Sequence, residues 1–402
     1  MKGLLSLFIL LLIFSCTTQD GILESEQQKF GSLFITCNVD SAQIYLDQKP
    51  TGKYTSSKDS VLLDSVQAGT HSVQLQRECY ETAEPEKNIV IQASSQTHLH
   101  FVMKLLDSVS NLFISTTPDS ALIFLDGLPR GYSPVFLNCV AAGEHPLEIR
   151  KGSYAPVTAI VTAMGGKTDT LQQSLVLQRT VLVEHFSSST CVPCVAADEA
   201  ISDFLQNHGV AKTVSINYHT GIPAPGDPMY LAAKEDNDAR MTYYKIFTNP
   251  IVWFDGVISE LGTSSLEARL ESAFQTRTIV PPKAAIEILH YKKSNDILSG
   301  TVRVEALSEL QNIKLQIALV EKNVDYENSP GQNGQKHFFD VLRTFYPTPD
   351  GTLISLSIGE KYFIQFSIKP EEQWKVDQLQ VVAFLQEQST KEVLQAVSTL
   401  YP

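Results

Sequence analysis

The sequence predicts a multidomain chain that is mostly β, with a single α/β block set between all-β regions. Three observations lead there. The chain has 402 residues, more than one ordinary core organises. Its first two-fifths repeats itself, and repetition at such a period marks tandem domains. Between Thr180 and Leu205 a β-branched run gives way to helical spacing, at Val195, Ala200, Ile201, Phe204 and Leu205; downstream, from Ala284 to the end, apolar residues alternate with period two.

In chain order, Met1-Lys2 precedes an apolar run from Leu4 to Phe14, short of the ~20 residues a membrane-spanning helix needs. Residues 1–15 therefore read as a signal peptide and 16–30, polar and without period, as a tether. The tetrad Ile13-Phe14-Ser15-Cys16 resembles the lipobox of bacterial lipoproteins, and this implies lipid attachment at Cys16, the first residue of the mature protein. The implied location is the cell envelope, lipid-anchored, at the outer membrane.

Leu33-Phe34-Ile35-Thr36 and Asp40-Ser41-Ala42-Gln43-Ile44-Tyr45-Leu46-Asp47 return as Leu112-Phe113-Ile114-Ser115 and Asp119-Ser120-Ala121-Leu122-Ile123-Phe124-Leu125-Asp126. Ala68-Gly69-Thr70-His71 is echoed by Ala142-Gly143-Glu144-His145, and Glu78-Cys79-Tyr80 by Gly152-Ser153-Tyr154. The alternation from Ser32 to Leu46, interrupted by Asn38-Val39-Asp40-Ser41, predicts a hairpin opening the first copy. Two domains follow, at 31–105 and 111–178. Each resembles a PEGA domain, a small β-sandwich of envelope proteins, with Pro118-Asp119-Ser120-Ala121 at the place of the namesake tetrapeptide and Val39 replacing the proline in the first copy. The resemblance implies spacing or adhesion. His71 and His145, each just after a glycine turn, read as turn residues rather than metal ligands.

The block 179–280 opens on Val181 to Phe186, a buried strand, then a Ser/Thr loop and Cys191-Val192-Pro193-Cys194 at the start of a helix. A helix N-terminus stabilises a thiolate, so Cys191 is the candidate attacking sulfur and Cys194, one turn on, the resolving one. Pro193 suits a first helical turn. Thr213 to Tyr218 predicts a strand, Pro228 to Tyr244 a helix, Ile251 to Phe254 a strand and Ser264 to Arg277 a helix. The block resembles thioredoxin, and Asn249-Pro250-Ile251-Val252-Trp253-Phe254 resembles its cis-proline segment, which implies that Pro250 packs against the cysteines. No tryptophan precedes Cys191, and His185 stands where thioredoxin has its buried acid. His185 has two readings: a histidine satisfied by backbone, or the base that takes the Cys194 proton. Glu184 and His219 read as strand-end residues.

From 284 to 402, stretches such as Leu315-Gln316-Ile317-Ala318-Leu319 and Leu379-Gln380-Val381-Val382-Ala383-Phe384 predict an antiparallel β-sandwich without catalytic residues. Together, the block and this sandwich resemble a family of bacterial outer-membrane lipoproteins of about 28 kDa. The resemblance rests on Glu184, Phe186, Thr190, Cys191, Cys194, His219, Asp227-Pro228, Tyr243-Tyr244, Pro250, Gly256, His337 to Arg343 and Ala383 to Gln386.

A net charge of -13 and no long basic cluster argue against nucleic acid. A zinc site at Cys191 and Cys194 lacks a second C-x-x-C or nearby His pair, so neither metal nor other cofactor is expected. Cys37 and Cys79 share one repeat and could pair, leaving Cys139 buried or free. Two functions stay open. One is a thiol:disulfide oxidoreductase acting on envelope proteins that carry thiols or disulfides. The other is a non-catalytic envelope scaffold, with Cys191 and Cys194 as a structural disulfide, binding polysaccharide or protein through its β domains.

Overall fold

The computed structural model describes residues 29–401; the signal segment, Cys16 and most of the tether lie outside the described residues. The chain is predominantly β and divides into two compact units: residues 29–110 with 165–167, and 111–164 with 168–401.

The first unit contains β1 (Phe30–Cys37), β2 (Gln43–Leu46), β3 (Lys49–Tyr54), β4 (Val61–Gln67), β5 (Gly69–Gln76), β6 (Tyr80–Thr82), β7 (Lys87–Ile91), β8 (Gln96–Phe101) and β9 (Met103–Leu105). They form sheets ordered β4-β1-β8 and β3-β2-β5-β7, with β6 and β9 paired apart. Leu33 and Ile35 from one sheet meet Ile44, Val73 and Leu75 from the other in a shared core. The expected β1–β2 hairpin is therefore not made. At Ser41, whose φ is +60°, the chain turns a corner and lays β2 on the facing sheet, while β1 pairs in parallel with β8. Alternation reports that two strands bury one face each; it does not report whether they pair or face each other. Cys37 is a buried free thiol, its pKa pushed up by that burial, so no Cys37–Cys79 bond forms; Cys139 is disulfide-bonded rather than free.

The second repeat follows the same plan. It comprises β10 (Val109–Thr117), β11 (Leu122–Leu125), β12 (Leu128–Tyr132), β13 (Val135–Ala141), β14 (Gly143–Arg150), β15 (Val157–Ala163) and β16 (Thr168–Ser174). Its sheets are ordered β13-β10-β16 and β12-β11-β14-β15. In both copies a hydroxyl closes the corner: Thr55 Oγ1 accepts from Ala42 N at 2.9 Å, and Ser133 Oγ from Ala121 N at 3.0 Å. The two histidines do more than turn the chain. His71 lies 2.7 Å from both Asp47 Oδ2 and the Gln67 carbonyl, and His145 lies 2.9 Å from Asp126 Oδ2 and 2.8 Å from the Ala141 carbonyl.

The rest of the chain consists of β17 (Val181–Ser187), α1 (Cys194–His208), β18 (Thr213–His219), α2 (Pro228–Ala232), α3 (Lys234–Tyr244), β19 (Ile251–Phe254), β20 (Ile258–Leu261), α4 (Leu266–Thr278), β21 (Ala284–Lys293), β22 (Leu298–Ala306), β23 (Leu310–Asp325), β24 (His337–Tyr346), β25 (Thr352–Leu356), β26 (Lys361–Ile368), β27 (Leu379–Glu387) and β28 (Val393–Ser398). One sheet runs β20-β19-β17-β18-β24-β23-β27-β28, with β25 also on β23. The predicted helix from Pro228 to Tyr244 is broken at Ala233 into α2 and α3. The α/β part and the C-terminal strands share this sheet, joined where β18 meets β24 at Asn217 and Val341. Leu182, Phe186, Ile216 and Tyr218 pack with Val320, Phe345 and Phe384 on one face. On the other face α1 and α4 cover Val181, Val183 and Phe254. The sheet β21-β22-β26 packs against β23 and β27 through Ile286, Val304, Ile317 and Val381.

Candidate functional site: the Cys191–Cys194 disulfide

All seven residues of β17 are buried, as its unbroken apolar run requires of a central strand. It pairs in parallel with β18 and antiparallel with β19. The alternation that sends Leu182, Glu184 and Phe186 to one face sends Val181, Val183 and His185 to the α1 face. At its end the loop 187–193 carries the chain into α1. Ser188 Oγ and Thr190 Oγ1 are 2.9 Å apart, Thr190 Oγ1 donates to the Ala224 carbonyl, and Ser189 N donates to Asp227 Oδ2 at 2.6 Å.

Cys191 and Cys194 form a disulfide, with Cα atoms 5.4 Å apart. The helix proper begins at Cys194; Pro193 is the residue before it, and Cys191 lies in the preceding turn. Cys191 is not at an exposed position. It is 2% exposed and Cys194 is 0% exposed, whereas Val192 between them is 66% exposed. Pro250 is buried beside the end of β17, its peptide bond with Asn249 is cis, and Ile251 next to it pairs with Phe186.

His185 is 1% exposed and stacks on Phe339 at 5.0 Å between ring centroids. Neither ring nitrogen has a hydrogen-bond partner, so the backbone does not satisfy it as one reading expected. Its nearest charged neighbour is Asp198, with Nδ1 3.7 Å from Oδ1. Asp198 falls on the same helix face as Cys194, four residues on, and takes hydrogen bonds from Ser187 Oγ at 3.0 Å and Gln335 Nε2 at 3.1 Å. Sequence reasoning missed it. The signal was present: Cys194, Ala197, Ile201 and Phe204 make the buried stripe of α1, and Asp198 is a charge within it.

His219 and Asp227, both fully buried, form a second acid–imidazole pair with Nδ1 2.8 Å from Oδ2. Burial would raise the Asp227 pKa, but His219 and the N–H groups of Ser189 and Tyr230 hold its carboxyl well below the ordinary range. Asp227 thus caps α2 and pins the cysteine loop at once. Glu184, expected near a strand end, is a mid-strand anchor. It takes hydrogen bonds from Tyr218 at 2.9 Å and Tyr244 at 2.5 Å and pairs with buried Arg240 on α3.

The loop between β23 and β24 completes the surroundings. Asn333 Nδ2 donates to the carbonyls of Ser188 at 3.2 Å and Cys191 at 3.3 Å, and Asn333 N donates to the Ser189 carbonyl at 3.1 Å. A cleft of about 760 Å³ beside α1 is lined by Asp198, Ser202, Asn333, Gln335 and Phe339.

Two family models match this chain. Residues 269–400 match outer membrane protein Omp28, and residues 30–104 and 109–180 match the PEGA domain. The C-terminal third of the chain is thus similar to outer membrane protein Omp28, and two PEGA domains precede it. The Omp28 match points to the outer membrane of the cell envelope. Among solved structures, HBP35 of Porphyromonas gingivalis is 14% identical, with a TM-score of 0.46, covering 55% of this chain and 74% of that one. A domain of the outer membrane lipoprotein Omp28 from the same organism is 20% identical, with a TM-score of 0.22, covering 29% of this chain and 86% of that one. The Bacillus anthracis TIE protein is 14% identical, with a TM-score of 0.20, covering 40% and 36% respectively. No curated protein matches the chain. Among the described residues no helix is long and apolar enough to cross a membrane.

Proposed function

We propose that this protein is tethered through lipidated Cys16 and that its 179–280 block is a thioredoxin-like unit exchanging thiols and disulfides with other envelope proteins. The observation that carries this reading is the closed Cys191–Cys194 disulfide at the start of α1, on the loop that leaves β17, with Pro250 buried beside the end of that strand. A partner thiolate attacks Cys191 Sγ, the Cys191–Cys194 bond breaks, and Cys194 leaves as a thiolate that takes up a proton. His185 and Asp198, on the Cys194 face of the site, are the groups that would handle that proton. A second partner thiolate then attacks the partner's own sulfur in the mixed disulfide. The partner leaves oxidised by two electrons, and Cys191 is released as a thiolate; the reverse sequence reduces a partner.

Burial of both sulfurs favours a second reading, in which the disulfide is structural and the β domains bind protein or polysaccharide. Trapping separates the two. Cys194→Ser should accumulate disulfide-linked envelope proteins, identifiable by mass spectrometry, and Cys191→Ser should not. Absence of adducts from both variants, with no exchange on a reduced model protein, would leave the scaffold reading.

A further inference from the structure

The ten-residue segment from Glu327 to Lys336, between β23 and β24, is polar apart from one proline and contains no helix or strand. Its neck is closed by Tyr326 N donating to the Lys336 carbonyl at 2.9 Å. Gly331, Asn333 and Gln335 are half-buried, whereas Gln332, Gly334 and Lys336 are exposed, so every second residue of this turn lies against a surface. That surface is the cysteine loop. The Asn333 backbone N–H donates to the Ser189 carbonyl, and its carboxamide spans the Ser188 and Cys191 carbonyls. At Gly331 the backbones touch: a Cβ there would lie 2.1 Å from the Ser189 oxygen. Gln335 reaches behind the disulfide to Asp198.

These contacts are of the kind a bound polypeptide makes, backbone N–H onto exposed carbonyls with a glycine allowing close approach. No large apolar side chain of the segment anchors it, and Asn333 and Gln335 border the open cleft beside α1. We propose that residues 327–336 are a lid occupying the seat of the partner polypeptide against Cys191, so that thiol exchange requires the lid to leave. This rests on the exchange reading above, but the lid can be tested apart from it. The other cover over the loop, 220–226, is tied down by Asn249 Nδ2, which donates to Thr220 Oγ1 at 2.6 Å and the Ile222 carbonyl at 2.9 Å. In the 327–336 segment, by contrast, Asn333 and Gln335 line the cleft beside α1.

The test is the rate at which dithiothreitol reduces Cys191–Cys194 in the folded full-length chain, read by alkylation and mass spectrometry. One thiolate of the reagent opens the protein disulfide to a mixed disulfide and releases one protein thiolate, and its second thiolate closes the oxidised reagent ring and releases the other. Asn333→Ala, which removes the two carboxamide bonds, should speed reduction at least about tenfold. Gly331→Ala, which forces the segment off Ser189, should do the same, and Asn333→Ala covers the case in which Gly331→Ala misfolds. Wild-type rates in both folded variants, or a wild-type rate already equal to that in denaturant, would overturn the lid. If the variants reduce faster yet exchange with no reduced model protein, the lid stands and the exchange activity falls.

Discussion

The two repeats share a plan, and in the second the shared turn is also built into the C-terminal β region. Each has a corner with a positive-φ serine, Ser41 or Ser120, a fully buried isoleucine, Ile44 or Ile123, and a histidine clamped between an aspartate and a carbonyl. Each also has a basic residue reaching back to that corner, Arg77 to the Asp40 carbonyl at 2.5 Å and Lys151 to the Ser120 carbonyl at 3.4 Å. In the second repeat that residue does more. Lys151 is 3% exposed and pairs with buried Glu287 on β21 at 3.0 Å, while Ser153 Oγ accepts from Ile286 N and donates to Ile286 O. Tyr401 near the chain end donates to the Tyr154 carbonyl. In the second copy this turn ties the repeat to the C-terminal β region.

The equivalence of the two cores can be broken most severely. Ile44→Ala and Ile123→Ala should each destabilise their own repeat by about 3 to 4 kcal/mol, and by similar amounts, because each leaves a cavity in a matched environment. Hydrogen exchange of β5 and β14 measures the two losses separately. Values differing by more than about 1 kcal/mol would mean that the repeats are alike in plan but not in packing.

The difference in docking is sharpened by removing the basic residue. Lys151→Met strands Glu287 with Arg303 as its remaining ion-pair partner and should cost about 3 kcal/mol, whereas Arg77→Met should cost about 1 kcal/mol. Urea unfolding followed by the emission of Trp253 and Trp374, which lie in the same compact unit as Lys151, should register the larger loss. A shift with Arg77→Met as large as with Lys151→Met would refute the distinction.

The smallest expected effect is a pH dependence common to both copies. Each imidazole faces two acceptors, a carboxylate and a carbonyl, so only the doubly protonated ring satisfies both. The Asp47 hydrogen bond raises the His71 pKa, and the Ala141 carbonyl with Asp126 raises that of His145 against nearby Arg130. The folded-state values lie above the unfolded value of about 6.5, so the stabilisation is complete below that pH and is lost as pH rises through the folded values. Exchange protection of the two clamped turns should fall over that rise in the wild type. In His71→Gln/His145→Gln it should be flat.

Much of this was legible in residues whose pattern reflects local constraint. The repeat, the buried run of β17 and the cysteine pair at the entry to α1 are set by period and spacing. Asp198 was legible in principle, as a charge in an apolar helical stripe. Gly331 and Asn333 were not: they sit in a polar loop some 140 residues from Cys191, and nothing local distinguishes them from any surface turn.

By itself, then, the sequence determined which segments bury one face or two, where the chain turns, and which residues offer thiols to chemistry. Those follow from side-chain period, turn residues and the spacing of two cysteines, all short-range in the chain. Only the tertiary structure decided that β1 faces β2 instead of pairing with it, that β18 and β24 join two parts into one sheet, and that a distant loop closes over Cys191. The reason is that hydrogen-bond partners for a strand edge or a loop carbonyl are selected by global packing. A backbone carbonyl accepts from any donor brought within about 3 Å, and the sequence near it does not specify which one arrives.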